Sequence, residues 1–394
     1  MRSRRDQNDG GSFRPEVRRV LPVLVLLRFF VNVAGRMLYT FLPSFARGTG
    51  LSVGAMGRVI AGGELMALIA PWSGRATDRI GSSKVMVNSG LVIAGGLLMA
   101  VFGMPGVIVG VLVFGLARTG FHVSMNSWIG DEVAYERRGR ATGFIEMSWG
   151  AASLLGLPVV GLLIDNFGWR TPFIVCGLAI APLSWITQRR STNATHDSRA
   201  SRKPSMTPAV YAALVVSAAM TAAAQTFVFS HGLWLEDTYN LDTAQVGFAV
   251  IAVGAIELIA TFGSANFTDR LGKKTSMLSG TGLLSAALVI LAFVPAPPLA
   301  IGIALLVVAF LGFEFAIVSS IPLIAELDTE ARAQMVGLWV AVTTVARAVV
   351  TILATWLYTR YGFDAVMTAG AGFGALAIGL GLAAMKEPTP SQAV

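Results

Sequence analysis

Charge is what this sequence has least of. Asp, Glu, Lys and Arg make up 13% of its 394 residues, about half the share of an ordinary soluble domain. A chain so poor in charge cannot cover itself with polar surface in water. It has a single cysteine, Cys176, which excludes an internal disulfide and a cysteine-built metal site. Its three histidines, His122, His196 and His231, stand far apart and form no HExxH pair. There is no glycine-rich phosphate loop, so ATP does not drive this protein directly. No metal and no cofactor is expected. What the chain does hold is apolar: 54% of residues are hydrophobic and the mean hydropathy is +0.67. The solvent for such a chain is lipid.

Apolar stretches of roughly 20 residues, each able to cross about 30 Å of hydrocarbon as a helix, recur along the sequence. They cover 19–46, 53–73, 85–104, 106–129, 141–164, 171–188, 208–235, 244–265, 275–294, 298–325, 334–358 and 364–385. The first is too long for the core of a cleaved signal peptide and follows a polar tail. The predicted organisation is a basic tail (1–18), a six-helix half (19–188), a linker (189–207), a second six-helix half (208–385) and a short tail (386–394). The fold class is therefore all-α and membrane-spanning, with twelve helices.

The net charge of +8 suggests a nucleic-acid partner only until the charges are located. Arg14, Arg18, Arg19, Arg75, Arg79, Lys84, Arg137, Arg138, Arg140, Arg189, Arg190, Lys273, Lys274 and Arg332 all fall on one side of the predicted spans, and only Arg47, Arg170 and Arg360 on the other. The bias predicts that both termini and the linker are cytoplasmic, in a multi-pass protein of the cytoplasmic (inner) membrane. The basic character is topology plus attraction to anionic lipid; nucleic acid is not an expected partner.

The halves repeat. Gly74-Arg-Ala-Thr-Asp78-Arg79-Ile-Gly81 follows the second span, and Ala265-Asn-Phe-Thr-Asp269-Arg270-Leu-Gly272-Lys273-Lys274 follows the eighth. Glu132-x3-Glu136-x-Arg138-x4-Gly143 recurs as Glu326-x3-Glu330-x-Arg332-x4-Gly337, and Phe167-Gly168-Trp169 as Tyr361-Gly362-Phe363, both at a spacing of 194 residues. A shared spacing at several sites marks an internal duplication.

These residues resemble the major facilitator superfamily, whose signature after the second helix is G-x3-D-R-x-G-R-R. Gly74, Asp78, Arg79 and Gly81 fit it, with Ser82 and Ser83 in place of the basic pair; the second copy has lost the first glycine and keeps the pair. The resemblance implies two pseudo-symmetric six-helix bundles around a central cavity that opens alternately to each side. It also implies that helices 1, 4, 7 and 10 line that cavity. Of the family's helix-4 motif R-x-x-Q-G only Arg118 is kept, and of the helix-5 motif G-P-x-x-G-G only Pro158 and Gly161. Asp78, Arg79, Asp269 and Arg270, with Gly74, Gly81 and Gly272 shaping their turns, are expected to form a breakable cytoplasmic gate. The alternative is that they only anchor loops at the headgroups.

Eight ionisable residues fall inside spans: Arg28, Arg36, Arg118 and Arg347 against Glu64, Glu146, Glu257 and Glu314. Such groups are expensive in lipid and mark ion or solute pathways. Four against four predicts mutual pairing. Counted from span ends, Arg28, Glu64, Arg118 and Glu257 fall near the midplane and Arg347 close to it, whereas Glu146 lies about one and a half turns inside the surface and reads as a gate partner. Arg28, Asn32 and Arg36 share one face of span 1, and Arg118, His122 and Asn126 one face of span 4. Arg28 and Glu64, on adjacent antiparallel spans, are expected to pair and to carry a proton, with Glu257 and Glu314 as the next carriers. The competing possibility is that each Arg is neutralised by a Glu that only locks the packing.

The expected function is secondary transport of a small organic solute by a monomer, coupled to protons, with efflux as the first reading. Uptake of an anionic metabolite held by Arg28 and Arg118, and lipid flipping, stay open. No convergent His, Cys or Ser–His constellation supports a membrane-embedded enzyme.

Overall fold

The computed structural model describes residues 13–190, 205–328 and 331–385; the start of the basic tail, most of the linker, Glu330 and the end of the chain lie outside the described residues. Regular structure among the described residues is helical throughout. The first half holds α1 (Pro15–Thr40), α2 (Leu42–Thr49), α3 (Val53–Leu65), α4 (Ala70–Ile80), α5 (Ser82–Leu98), α6 (Met104–Glu132), α7 (Tyr135–Ala151), α8 (Leu157–Phe167) and α9 (Thr171–Arg190). The second holds α10 (Pro208–Tyr239), α11 (Thr243–Ala249), α12 (Ile251–Leu271), α13 (Lys273–Phe293), α14 (Leu299–Glu326), α15 (Arg332–Tyr361) and α16 (Phe363–Ala384). A 3-10 turn, Met66–Ile69, joins α3 to α4, and a π turn, Ala152–Gly156, joins α7 to α8. Eleven helical runs are long and apolar enough to cross a bilayer, or twelve when Val53–Ile69 is counted with α2, from which it bends by 110°. The fold is twelve crossings in two pseudo-symmetric six-helix bundles.

The duplication is visible in the backbone. Gly81 and Gly272 end corresponding helices at φ 93° and 83°, and Gly168 and Gly362 do so at φ 87° and 94°. Only glycine adopts this conformation without a Cβ penalty. Just past the first pair, Ser82 donates to Asp131 at 3.0 Å, and its counterpart Lys273 pairs with Glu326. The same tie is built from different chemistry in each half. Arg138 donates to the carbonyls of Val133 (3.1 Å) and Gly130 (2.5 Å), satisfying the open C-terminus of α6.

The signature stretch is not a loop, as its polarity suggests, but the last turns of α4, with Gly81 alone making the turn. Polar side chains there reach the membrane surface while the backbone stays helical. Likewise α7 begins at Tyr135, ahead of the apolar run at 141.

The bundles touch unequally at their two ends. At the end away from the basic residues, here the distal end, α3 packs on α15 and α8 on α11. Glycines permit this approach: a Cβ on Gly161 would lie 2.7 Å from the Thr243 carbonyl oxygen, one on Gly57 would overlap Thr355, and one on Gly254, a little deeper, would overlap the Leu154 backbone. At the basic end, among the described residues, α4 packs mainly on α5 and α6 of its own bundle, and Gly74, Gly143 and Gly337 have open space where a Cβ would go. The bundles are closed distally and parted at the basic end.

Gly254→Val is expected to wedge the distal contact. Overpacking costs about 1–3 kcal/mol, enough to shift the conformational balance by roughly tenfold or more. A cysteine placed at the buried Ser44 should then react correspondingly faster with a membrane-impermeant maleimide; the native Cys176 is buried and silent. Unchanged labelling would show that this contact does not hold the end shut.

Candidate functional site

The intramembrane charges form three pairs and leave two residues over. Arg28 on α1 binds both carboxylate oxygens of Glu146 on α7, each at 2.9 Å, and one turn on Asn32 donates to Ser148 at 3.1 Å. These contacts fasten α1 to α7 within the first bundle. The other two pairs cross between bundles. Arg36 on α1 meets Glu257 on α12 at 2.7 Å, and Arg347 on α15 meets Glu64 on α3 at 2.9 Å. Tyr39 also donates to Glu64, at 2.7 Å.

The expected Arg28–Glu64 pair is therefore not formed. Spans 1 and 2 meet at Tyr39, about three turns along α1 from Arg28; elsewhere α1 packs mainly on α9 and α7, and α3 on α6 and on α15 of the other bundle. The bend after α2 turns the chain away. Glu146, expected as a gate partner, pairs with Arg28 in this conformation. Because α7 starts at Tyr135, Glu146 lies three turns deep, level with Arg28.

Glu314 and Arg118 are the two left over. Glu314 is buried on α14 and accepts the Trp149 indole N–H at 3.0 Å. That indole ring carries the Arg36 guanidinium on its face, 4.5 Å from the ring centre, and Ser153, one turn further along, donates to Glu257 at 3.1 Å. Arg36, Trp149, Ser153, Glu257 and Glu314 thus form one cluster shared by the bundles, with two carboxyl groups to one guanidinium. Arg118, on α6, lies against the backbone of Gly35, where a Cβ would come within 3.3 Å of its Nη1, and its Nε has no hydrogen-bond partner. His122, one turn along, feels the charges of Arg28, Arg118 and Arg347. Asn126, the last of that stripe, is exposed.

Open space reaches this depth. The Glu146 side chain is 42% exposed and that of Arg347 32%, although both sit well inside long helices and face the other bundle or α1. The arrangement offers a partly exposed, charge-lined site between the bundles.

The signature residues are placed differently. Asp78 and Arg79 are exposed at the parted end, with no partner among the described residues; the side chains of Asp269 and Arg270 lie outside the described residues, and Gly272 is the turn glycine after them. Among the described residues, the polar contacts that span the bundles near an end are distal, and the sequence reading missed them: Arg47 with Glu236, Ser44 with Thr243 at 3.1 Å, and Thr40 with His231 at 3.2 Å. A cation in one distal loop and Glu236-Asp237 in another were the available signal. Trp149, Ser153 and Tyr39 carried one too, each at helical spacing from a charged residue already singled out.

Comparison with known proteins places this geometry. The sequence model of the Major Facilitator Superfamily matches residues 24–327 and again 213–394. "Multidrug resistance protein 2" of Bacillus subtilis is 27% identical over 172 residues, 42% of either chain. A "multi-drug resistance efflux pump PmrA homolog" of Lactococcus lactis is 26% identical over 169 residues, 40% of this chain and 41% of that one. The similarity thus spans less than half the length of these relatives. Among solved structures, a bacterial homologue of the human lysosomal transporter Spinster, in an inward-facing and unoccupied conformation, superposes with a TM-score of 0.72 at 13% identity, over 96% of this chain and all of that one. The human organic anion transporter MFSD10 superposes at 0.68 and 15% identity, over 93% of this chain and all of that one.

Proposed function

Because the chain belongs to the Major Facilitator Superfamily, we propose that it is a secondary active transporter moving a small organic solute across the cytoplasmic membrane by alternating access, with protons as the driving ion. The observation that carries the coupling is the Arg36–Trp149–Ser153–Glu257–Glu314 cluster. One guanidinium balances one carboxylate, so the second carboxyl group completes a neutral site only as the acid. A proton taken up here changes the charge between two bundles that must part and meet in each cycle. Export is the leading direction, supported by relatives named for drug resistance. Uptake of an anionic metabolite is the second reading, favoured by the unpaired Arg118.

Reconstituted vesicles with an imposed pH gradient and a panel of solutes test this reading. Proton-coupled export requires solute accumulation in inside-out vesicles with an acidic lumen, and uptake coupled to protons requires the reverse gradient. Transport indifferent to the gradient would remove the coupling.

The distribution of basic residues supports cytoplasmic termini and linker, and a basic end that faces the cytoplasm. In inside-out vesicles an added protease should cut within 189–207, and in intact cells it should not; the opposite pattern overturns the orientation. Asp78 and Arg79 then belong to a cytoplasmic gate that engages when this end closes. Asp78→Asn is expected to lower transport several-fold with insertion unaffected. Equal transport at equal expression would leave Asp78 as a loop anchor only.

A further inference from the structure

The first bundle and its surroundings are rich in donors that have nothing to donate to. Arg28 Nε, Arg36 Nη1 and Arg118 Nε are all buried without a hydrogen-bond partner. Arg28 and Arg36 each hold a carboxylate through another nitrogen. Among the described residues Arg118 holds none, and no ion pair joins it to Glu314, the intramembrane acid without a cation. Its nearest acid, Glu64, is already engaged by Arg347 and Tyr39. A guanidinium in lipid-depth surroundings is costly unless an anion meets it.

The surroundings fix what can dock. Gly35 gives way on the α1 side, so the guanidinium lies flush against that backbone. Phe114, one turn away on α6, presents a ring 5.9 Å from the guanidinium carbon. His122 sits on the same face of α6, one turn toward the parted end, and the neighbouring charges Arg28 and Arg347 are also positive. Arg28, Arg118 and Arg347 exceed Glu64 and Glu146 by one positive charge here. An acceptor arriving from the open end therefore meets a surplus cation and a planar fork of N–H donors, which matches a carboxylate in bidentate geometry. The adjacent aromatic ring suits an apolar body attached to it.

We propose that Arg118 is the docking group for a single anionic headgroup, carboxylate in shape, on an otherwise apolar solute. This rests on the transporter reading for its purpose but not for its test, which is a binding measurement and needs no gradient. Purified full-length protein in nanodiscs is titrated with benzoate, 2-naphthoate and laurate, each beside its neutral amide, and binding is read from thermal stabilisation and from tryptophan fluorescence. Wild type should bind at least one acid about tenfold more tightly than its amide, the margin of a charge-assisted bidentate contact. Arg118→Gln should reduce that margin to less than about twofold, and Arg118→Lys should keep part of it. If no acid is preferred to its amide in wild type, or if the preference survives Arg118→Gln, the proposal is overturned. Should Arg118→Gln fail to fold, the wild-type comparison and Arg118→Lys decide it: a full margin retained by the lysine variant, which lacks the planar fork, rules out bidentate docking. Acid binding that depends on Arg118 without any gradient-driven transport would uphold the subsite and defeat only the proton-coupled reading.

Discussion

Glu314→Gln is expected to abolish transport driven by a pH gradient while leaving solute exchange and thermal stability close to wild type. Glu314 accepts one hydrogen bond, from the Trp149 indole, and the glutamine amide oxygen can accept the same bond. The structural cost is therefore about 1 kcal/mol or less. What is lost is the carboxyl group that can gain and lose a proton. The neighbouring Glu257→Gln should behave oppositely in stability. Its side chain is 1% exposed and pairs with Arg36, itself 12% exposed. Removing the anion leaves a guanidinium in low dielectric, at a cost of about 3–5 kcal/mol. The two variants together separate a carrier from a clasp. Wild-type gradient-driven transport by Glu314→Gln, or a larger loss of stability for it than for Glu257→Gln, would contradict the assignment.

The second large effect is all-or-none. Ser44→Cys combined with Thr243→Cys should, on oxidation, cross-link the bundles at the distal end and stop transport completely, with full recovery on reduction. The two hydroxyl oxygens lie 3.1 Å apart, one on α2 and the other at the start of α11, so two sulfur atoms can meet there with little movement of the backbone. The native Cys176 is buried, and Cys176→Ala in the same background is the control. If the protein works by alternating access, this end must part in every cycle and the bond forbids it. Undiminished transport by the oxidised protein, with the cross-link verified by mass, would mean that the solute does not pass this way.

The sequence predicted the crossings well because each is a long apolar run, and the repeat well because turn glycines have no substitute at φ near 90°. It predicted the charged residues but not their partners. Arg28 and Glu64 lie on consecutive spans and count to similar depths from the span ends. Yet Glu64 meets Tyr39, about three turns along α1 from Arg28; a counted depth was all the sequence supplied. Which helices lie side by side depends on the bend after α2 and on glycine faces such as Gly57 and Gly161, whose contacts are more than 80 residues away in the chain. Arg36–Glu257 and Glu64–Arg347 join residues from opposite bundles, and no local pattern records such pairing. Span ends marked the apolar run and not the helix: α7 continues as polar turns back to Tyr135.

The two intramembrane clasps that cross between the bundles have opposite polarity. The first bundle gives the cation to one, through Arg36, and the anion to the other, through Glu64, while the second bundle gives Glu257 and Arg347. When the bundles rock apart, each carries away one positive and one negative charge. A unit charge moved through the full membrane potential exchanges about 2.3 kcal/mol per 100 mV, but displacements of opposite charges on one rigid body cancel. The clasps should therefore add no net charge movement when the empty carrier reorients. A large capacitive current from solute-free Arg118→Gln protein, which also lacks the unpaired charge of the first bundle, on a supported membrane would contradict this. Any dependence of transport on voltage then belongs to the passengers rather than to the clasps.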